Sequence, residues 1–388
     1  MLPALTAPLL QQPVPETDWH AARVQLERVL RTDPNNVEVL THLGALCARA
    51  RQYRKARTTL ERAMAAAPQD LLARRLLVEL LICFGDLDAA RGWVTTGPTQ
   101  RTGDPAWRAA VDAMAQLTPP PQGTGRLDLK DVTFLIPLRA DSADRLRNLG
   151  IILRYLDEHL DTTFLVCEDD PGEPQFPALA AQLGELGERC GFFQAPPHPG
   201  GFIHRTRDLN LLVERATTPI VAVYGTDVLL LPAQYREGRA AIAAGKAMVL
   251  PYGGLVADLD RELVDRIDRT LRVDDIDLFT SHAKVLSSFY AGGAVFYDRQ
   301  ALLDAGGYNE NFVSWGFEAA EMVERLSKLG LGIGRLPGPL YHLTHARTGN
   351  SSERHPYYER NRQELQAVQA MTAGQIRQGL AAGRFRMR

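Results

Sequence analysis

The sequence predicts a two-domain protein, with an all-α repeat domain over residues 1–118, a Pro/Gly linker over 119–130 and an α/β domain with a mostly parallel sheet over 131–388. Three observations predict it. Ala22, Ala56 and Ala90 recur every 34 residues, as do Leu26 and Leu60, and Pro34 and Pro68. The stretch from Leu117 to Gly125 has the Pro- and Gly-rich composition of a semi-rigid linker. Beyond it, short apolar runs alternate with helical patterns, the signature of strand-helix-strand units. A chain of 388 residues is long enough for two cores.

In the first domain, Asp33-Pro34-Asn35-Asn36 and Ala67-Pro68-Gln69-Asp70 each end one helix and open the next, because proline fits a first helical turn but not a helix interior. Small residues such as Ala22, Ala56 and Ala90 let paired helices approach closely. With this period, and with Leu43-Gly44 and Phe84-Gly85-Asp86 between paired helices, the segment resembles tetratricopeptide repeats. Such units bury their apolar faces only by stacking, and the stack leaves a groove. Three uses fit a short array of this kind: recruiting a peptide or partner protein, packing on the chain's own second domain, or forming a homodimer interface.

In the second domain, Val132 to Leu138, Thr163 to Cys167, Ile220 to Tyr224 and Met248 to Leu250 read as strands, with helices over Arg145 to Leu156 and Leu209 to Arg215. Ligands of open sheets bind at the carboxyl edge of the strands. Pro137, Arg139, Asp141 and Arg145 follow the first strand at that edge, and Glu168-Asp169-Asp170 ends the second, with acceptors suited to a base or ribose.

Composition narrows the functional classes. With 45% hydrophobic residues, 23% charged residues and a net charge of -2, the chain is globular and has no bias toward nucleic acid. The basic run Arg384-Phe385-Arg386-Met387-Arg388 reads as a solvated tail. Cys47, Cys83, Cys167 and Cys190 form no Cys-x-x-Cys pair, as expected of reduced thiols in a cytoplasmic protein. No segment reads as a membrane span.

Further along come Phe202-Ile203-His204-Arg205-Thr206-Arg207-Asp208-Leu209-Asn210, then Tyr224-Gly225-Thr226-Asp227, then Gly292-Gly293-Ala294 and Trp315-Gly316-Phe317-Glu318, and finally Tyr341-His342-Leu343-Thr344-His345-Ala346-Arg347. In this order, from near Asp131 to near Leu365, they resemble the metal-dependent GT-A glycosyltransferases of family 2, including the capsule-type and beta-1,4-galactosyltransferase-like branches. That resemblance implies a Rossmann-like nucleotide-diphospho-sugar transferase domain. It also implies an inverting hexosyltransferase using a UDP-sugar and Mn2+ or Mg2+, with a glycan, peptide or protein as acceptor.

Asp227 matches the second acid of the family's Asp-x-Asp element and takes the metal-ligand role, joined by His342 and His345; Gly225 stands where the first acid belongs. Arg139 and Arg205 offer forked cationic donors to a diphosphate or base edge. Gly293 lets backbone approach the sugar. Tyr290, Trp315, Gly316 and Glu318 are assigned to the acceptor side. The family's catalytic carboxylate falls at Ala319, so the base is expected at Glu318, with Glu321 its neighbour one helical turn on. A degenerate transferase that binds a nucleotide sugar or a partner without turnover is the rival reading.

Overall fold

The computed structural model describes residues 16–97, 104–117, 125–170, 172–196, 198, 201–287, 291–346 and 355–386. The N-terminal part is helical: α1 (Glu16–Thr32), α2 (Val37–Arg49), α3 (Tyr53–Ala66), α4 (Leu71–Cys83), α5 (Leu87–Thr95) and α6 (Pro105–Leu117). The two proline turns act as read from sequence. Asn36 caps α2 by accepting from the Val39 N–H, and Asp70 caps α4 by accepting from the Ala73 N–H. Ala56 and Ala90 are fully buried, and a side chain at Gly44 would run into Leu60 at 2.6 Å, so helix packing requires small residues there.

The α/β part runs β1 (Leu127–Leu138), α7 (Ala143–His159), β2 (Leu160–Glu168), α8 (Phe176–Leu183), α9 (Glu185–Arg189), β3 (Gly191–Gln194), α10 (Arg205–Arg215), β4 (Ile220–Tyr224) and β5 (Val228–Leu229). It continues through α11 (Pro232–Ala243), β6 (Met248–Leu250), β7 (Val256–Leu259), α12 (Arg261–Thr270), β8 (Lys284–Ser287), β9 (Ala294–Asp298) and α13 (Arg299–Asp304). The last elements are α14 (Glu318–Lys328), β10 (Ile333–Arg335), β11 (Leu340–Leu343), α15 (Tyr358–Ala370) and α16 (Ala373–Ala381).

The main sheet has the order β10-β6-β9-β4-β1-β2-β3. It is parallel except at β9, which runs antiparallel to β4 and β6. Beside it lies a smaller sheet, β5-β11-β7-β8. Strands buried on both faces read as continuous apolar runs, which is why β4 and β6 appear in the sequence with the bounds they have in the structure.

Two expectations are corrected here. The linker expected over 119–130 falls partly on residues 119–124, outside the described residues, and its last four positions are strand. Leu127 and Asp128 pair with Leu160 and Asp161, and Leu129 is buried, so alternation holds where composition suggested a loop. The C-terminal basic run is not a solvated tail over its described part. Phe385 is buried under the Arg325 guanidinium, 4.6 Å away, while Arg384 pairs with Glu364 at 2.7 Å and Arg386 with Glu310 at 3.3 Å.

Candidate metal and donor site

The carboxyl edge of the main sheet and the inner face of the small one enclose a cavity of about 530 Å³, a volume suited to a small-molecule ligand. From the end of β1 it receives Pro137, Arg139 and Asp141, and from the first turn of α7 it receives Arg145. Ser142 caps α7 on the Arg145 N–H. Arg145 is held by Asp141 at 2.8 Å and reaches toward Asp227 at 3.6 Å. Two N–H groups of Arg139 are spent on the Asp169 and Gly201 carbonyls, at 2.6 and 2.7 Å, so this residue braces the wall it lines.

Asp227 follows β4 in a tight approach to the Gly292-Gly293 segment, with the Gly225 N–H donating to the Gly293 carbonyl at 2.7 Å. A Cβ on residue 225 would lie 3.1 Å from the Asp227 carboxylate and 3.3 Å from the Gly293 carbonyl. This crowding is a physical account of glycine at position 225.

The ligand atoms of Asp227, His342 and His345 all lie within 4.8 Å of one another. His345 Nε2 is 3.1 Å and His342 Nε2 3.8 Å from Asp227 Oδ2. Each ring is turned by what its other nitrogen meets. His342 Nδ1 lies 2.7 Å from Asp258 Oδ1, and His345 Nδ1 lies 2.8 Å from the Ala346 carbonyl. Both partners are acceptors, so each Nδ1 carries a proton and each Nε2 is turned toward Asp227, with His345 Nε2 close enough to donate to it. Two imidazole nitrogens and a carboxylate are a donor set that could hold a divalent cation. Burial alone would raise the Asp227 carboxyl, but the hydrogen bond from His345 and the charges of His342, His345 and Arg145 outweigh it and hold it well below the usual carboxylate range.

Across the cavity stands the turn from Ser314 to Phe317. Ser314 (φ 63) and Phe317 (φ 73) are left-handed and Gly316 sits at φ 110, a combination that places Trp315 on the wall and starts α14 at Glu318. Glu318 accepts from the Gly316 N–H at 3.1 Å and lies 3.6 Å from Arg205. Strained backbone persists only where its surroundings over-determine it. Asn361 donates to the Val313 carbonyl at 2.9 Å and accepts from its N–H at 3.3 Å, His355 Nε2–H donates to the Trp315 carbonyl at 2.7 Å, and Tyr358 stacks on the Trp315 ring at 12°.

Of the expected site residues, Pro137, Arg139, Asp141, Arg145, Arg205, Asp227, Gly293, Trp315, Glu318, His342 and His345 line this one cavity. Gly316 serves the turn behind it. Tyr290 lies outside the described residues. Glu168 is not brought to the site: it is fully buried and its two oxygens accept from the Gln175 and Phe176 N–H groups, opening α8. Glu321 is also elsewhere, buried against Arg325 at 2.7 Å.

Sequence reasoning missed Asp258, although an acid alternating with the buried Ala257 and Leu259 on a strand is a readable sign of a polar face. It also missed Asn361, His355 and Tyr358, whose importance arises from contacts 40 or more residues away.

Behind Arg139 a buried cluster titrates. Burial first, and Asp169 second, push the Asp208 carboxyl up to about 8, while burial and Arg207 push His204 down to about 4. Between pH 3.8 and 8 the folded chain holds a proton on Asp208 that the unfolded chain has released, so this group costs stability as pH rises. His204 acts oppositely between pH 4 and 6.5, where the unfolded chain is protonated and the folded one is not. The two offset each other below pH 6.5, and above it Asp208 alone remains. Stability is therefore expected to fall from pH 6.5 to 8 by at most about 1.4 kcal/mol per pH unit. Asp208→Asn should flatten that decline in calorimetric Tm, and a parent Tm that rises over this interval contradicts the assignment.

Comparison with known proteins agrees with this architecture. Residues 277–348 match the family described as the N-terminal domain of galactosyltransferase, and residues 16–70 and 48–117 match the tetratricopeptide repeat. No curated protein matches the chain. Among solved structures it is similar to GalNAc-T7 with UDP, GalNAc and Mn2+, at 13% identity and a TM-score of 0.42 over 64% of this chain and 54% of that one. It thus spans about half the length of that protein. It is also similar to the mannosyltransferase PcManGT from Pyrobaculum calidifontis in complex with GDP-Man and Mn2+, at 14% identity and a TM-score of 0.39 over 78% of this chain and 85% of that one. Residues 16–117 thus carry tetratricopeptide-repeat segments, and residues 277–348 carry a segment similar to the galactosyltransferase family's.

Proposed function

We propose that this enzyme is a divalent-cation-dependent, inverting hexosyltransferase that uses a UDP-sugar and transfers to a glycan, peptide or protein acceptor. The observation that carries it is the placement of Asp227, His342 and His345 in one cavity with Glu318, the donor's metal and the acceptor's base being what such a transfer needs on its two sides. Residues 1–118 are its repeat domain and residues 131–388, extended back to the start of β1, its transferase domain. Asp227, His342 and His345 would hold Mn2+ or Mg2+, which as a Lewis acid neutralises the departing diphosphate. Arg145 and Arg205 add positive charge around it. Glu318 takes the proton of the attacking acceptor hydroxyl as the bond from the sugar's anomeric carbon to UDP breaks and the glycosidic bond forms. Trp315 offers its ring to the acceptor. The repeats recruit the acceptor or a partner, and four buried cysteines that form no disulfide fit a cytoplasmic enzyme.

A second reading, a nucleotide-sugar-binding scaffold without turnover, is favoured by Ala319 and Gly225. A thermal-shift panel of UDP-sugars with and without Mn2+, followed by assay of UDP release, separates the two. The proposal expects a Tm rise that needs both metal and nucleotide, with release of UDP. A rise without UDP release on any acceptor favours the scaffold, and no rise with any combination sinks both.

A further inference from the structure

The small sheet has two faces, which period-2 alternation sorts. Val228, Val256, Asp258, Leu340 and His342 line the cavity. Leu229, Ala257, Leu259, Tyr341 and Leu343 therefore point away from it, and each is at most 1% exposed. Tyr341 meets the repeats there. A Cβ on Gly85, in the turn after α4, would come within 3.0 Å of the Tyr341 hydroxyl and 3.1 Å of Pro339.

Next to Gly85, Phe84 stacks on Phe279 with centroids 4.5 Å apart, and Tyr53 packs on Phe84 at 4.7 Å. Arg57 covers the Phe279 ring at 4.8 Å. Arg54 donates to the Phe279 carbonyl at 3.0 Å and to that of Thr280 at 3.3 Å. The buried apolar side chains of the repeats and of the small sheet form one continuous cluster. From Thr280 the chain runs directly into β8, whose Leu286 and Ser287 line the cavity.

We propose that the repeat domain is a fixed support of the pocket, with Phe279 and Tyr341 as positioning residues seated between α3, the α4–α5 turn and the metal-bearing sheet. Tyr341 is the chain neighbour of His342, and Phe279 precedes the strand that closes the cavity. Close-packed interiors transmit such displacements instead of absorbing them. The identity of the pocket rests on the function proposed above; the mechanical link does not.

Hydrogen exchange on the full chain tests the link without any assay of activity. Amides of residues 284–287 should exchange ~10-fold faster in Phe279→Ala and ~3-fold faster in Arg54→Ala, an exposed side chain whose loss leaves both cores intact, while Phe279→Tyr stays near the parent. The Mn2+ concentration for half-maximal turnover should rise ~10-fold in Phe279→Ala, the scale of losing support behind a metal ligand. Should Phe279→Ala not fold, Arg54→Ala carries the test. Unchanged exchange at 284–287 in folded variants overturns the proposal. Faster exchange in a protein that turns over no nucleotide sugar keeps the support and removes the transferase reading.

Discussion

Asp227→Ala is expected to abolish Mn2+-dependent turnover, lowering kcat by ~10³ or more, and to remove high-affinity Mn2+ binding as read by electron paramagnetic resonance. Asp227 is the anionic member of the three-residue cluster, and both histidine Nε2 atoms face it. Without it, two imidazoles and Arg145 surround a site that must accept a doubly charged cation. Stabilising charge on a leaving group is commonly the largest single contribution to such a reaction, and its loss in comparable sites costs hundreds- to thousands-fold. The fold should survive, because Asp227 is a cavity-lining residue and the sheet beneath it is held by backbone pairing. Asp227→Asn separates charge from shape: nearly isosteric, it should bind Mn2+ almost as poorly as the alanine variant. Mn2+-dependent turnover within tenfold of the parent in either variant would remove Asp227 from the metal site.

Glu318→Gln is expected to lower kcat by ~10²–10⁴, the usual contribution of a positioned general base, while leaving the UDP-sugar affinity and the Mn2+ requirement in place. The contrast with Glu321 makes this assignment testable. Both carboxylates begin α14, yet Glu321 is 1% exposed and forms a buried pair with Arg325, whose guanidinium also donates to the Ala305 and Gly307 carbonyls. Breaking such a pair leaves an uncompensated buried charge and destabilises by about 3–5 kcal/mol. Glu321→Gln should therefore lower Tm with little effect on kcat in the fraction that remains folded, whereas Glu318→Gln should do the reverse. A Glu318→Gln enzyme with normal kcat, measured at saturating donor and acceptor, places the base elsewhere and revives the reading in which Ala319 marks a lost activity.

Much of the site was legible because its chemistry lies in short motifs. Asp227 after an apolar strand, the His342 and His345 pair, and the Trp-Gly-Phe-Glu turn carry their meaning within a few residues, and the structure places all of them around one cavity. Glu168 misled because an acid at a strand end is equally suited to a ligand and to the open N–H groups of the next helix; only the packing of α8 shows that the latter claim it. Glu321 was ambiguous for a related reason. Helical spacing puts 318 and 321 near one face, but the partner that withdraws Glu321 is selected by the burial of Arg325 beneath Phe385, at the far end of the chain.

The sequence by itself determined the repeat period and the strand-helix alternation, because periodicity and turn chemistry are local properties of the chain, and its resemblance put Asp227, His342 and His345 forward as a candidate metal set. Only the tertiary structure decided that β9 enters the sheet antiparallel, that Asp258 sets the His342 ring, that Asn361 and Tyr358 brace the Trp315 turn, and that Phe84 and Gly85 of the repeats pack against Phe279 and Tyr341. Each of these joins residues distant in sequence. Which buried partner satisfies a polar group or fills a gap is settled by the packed interior as a whole, and no window of the chain contains that information.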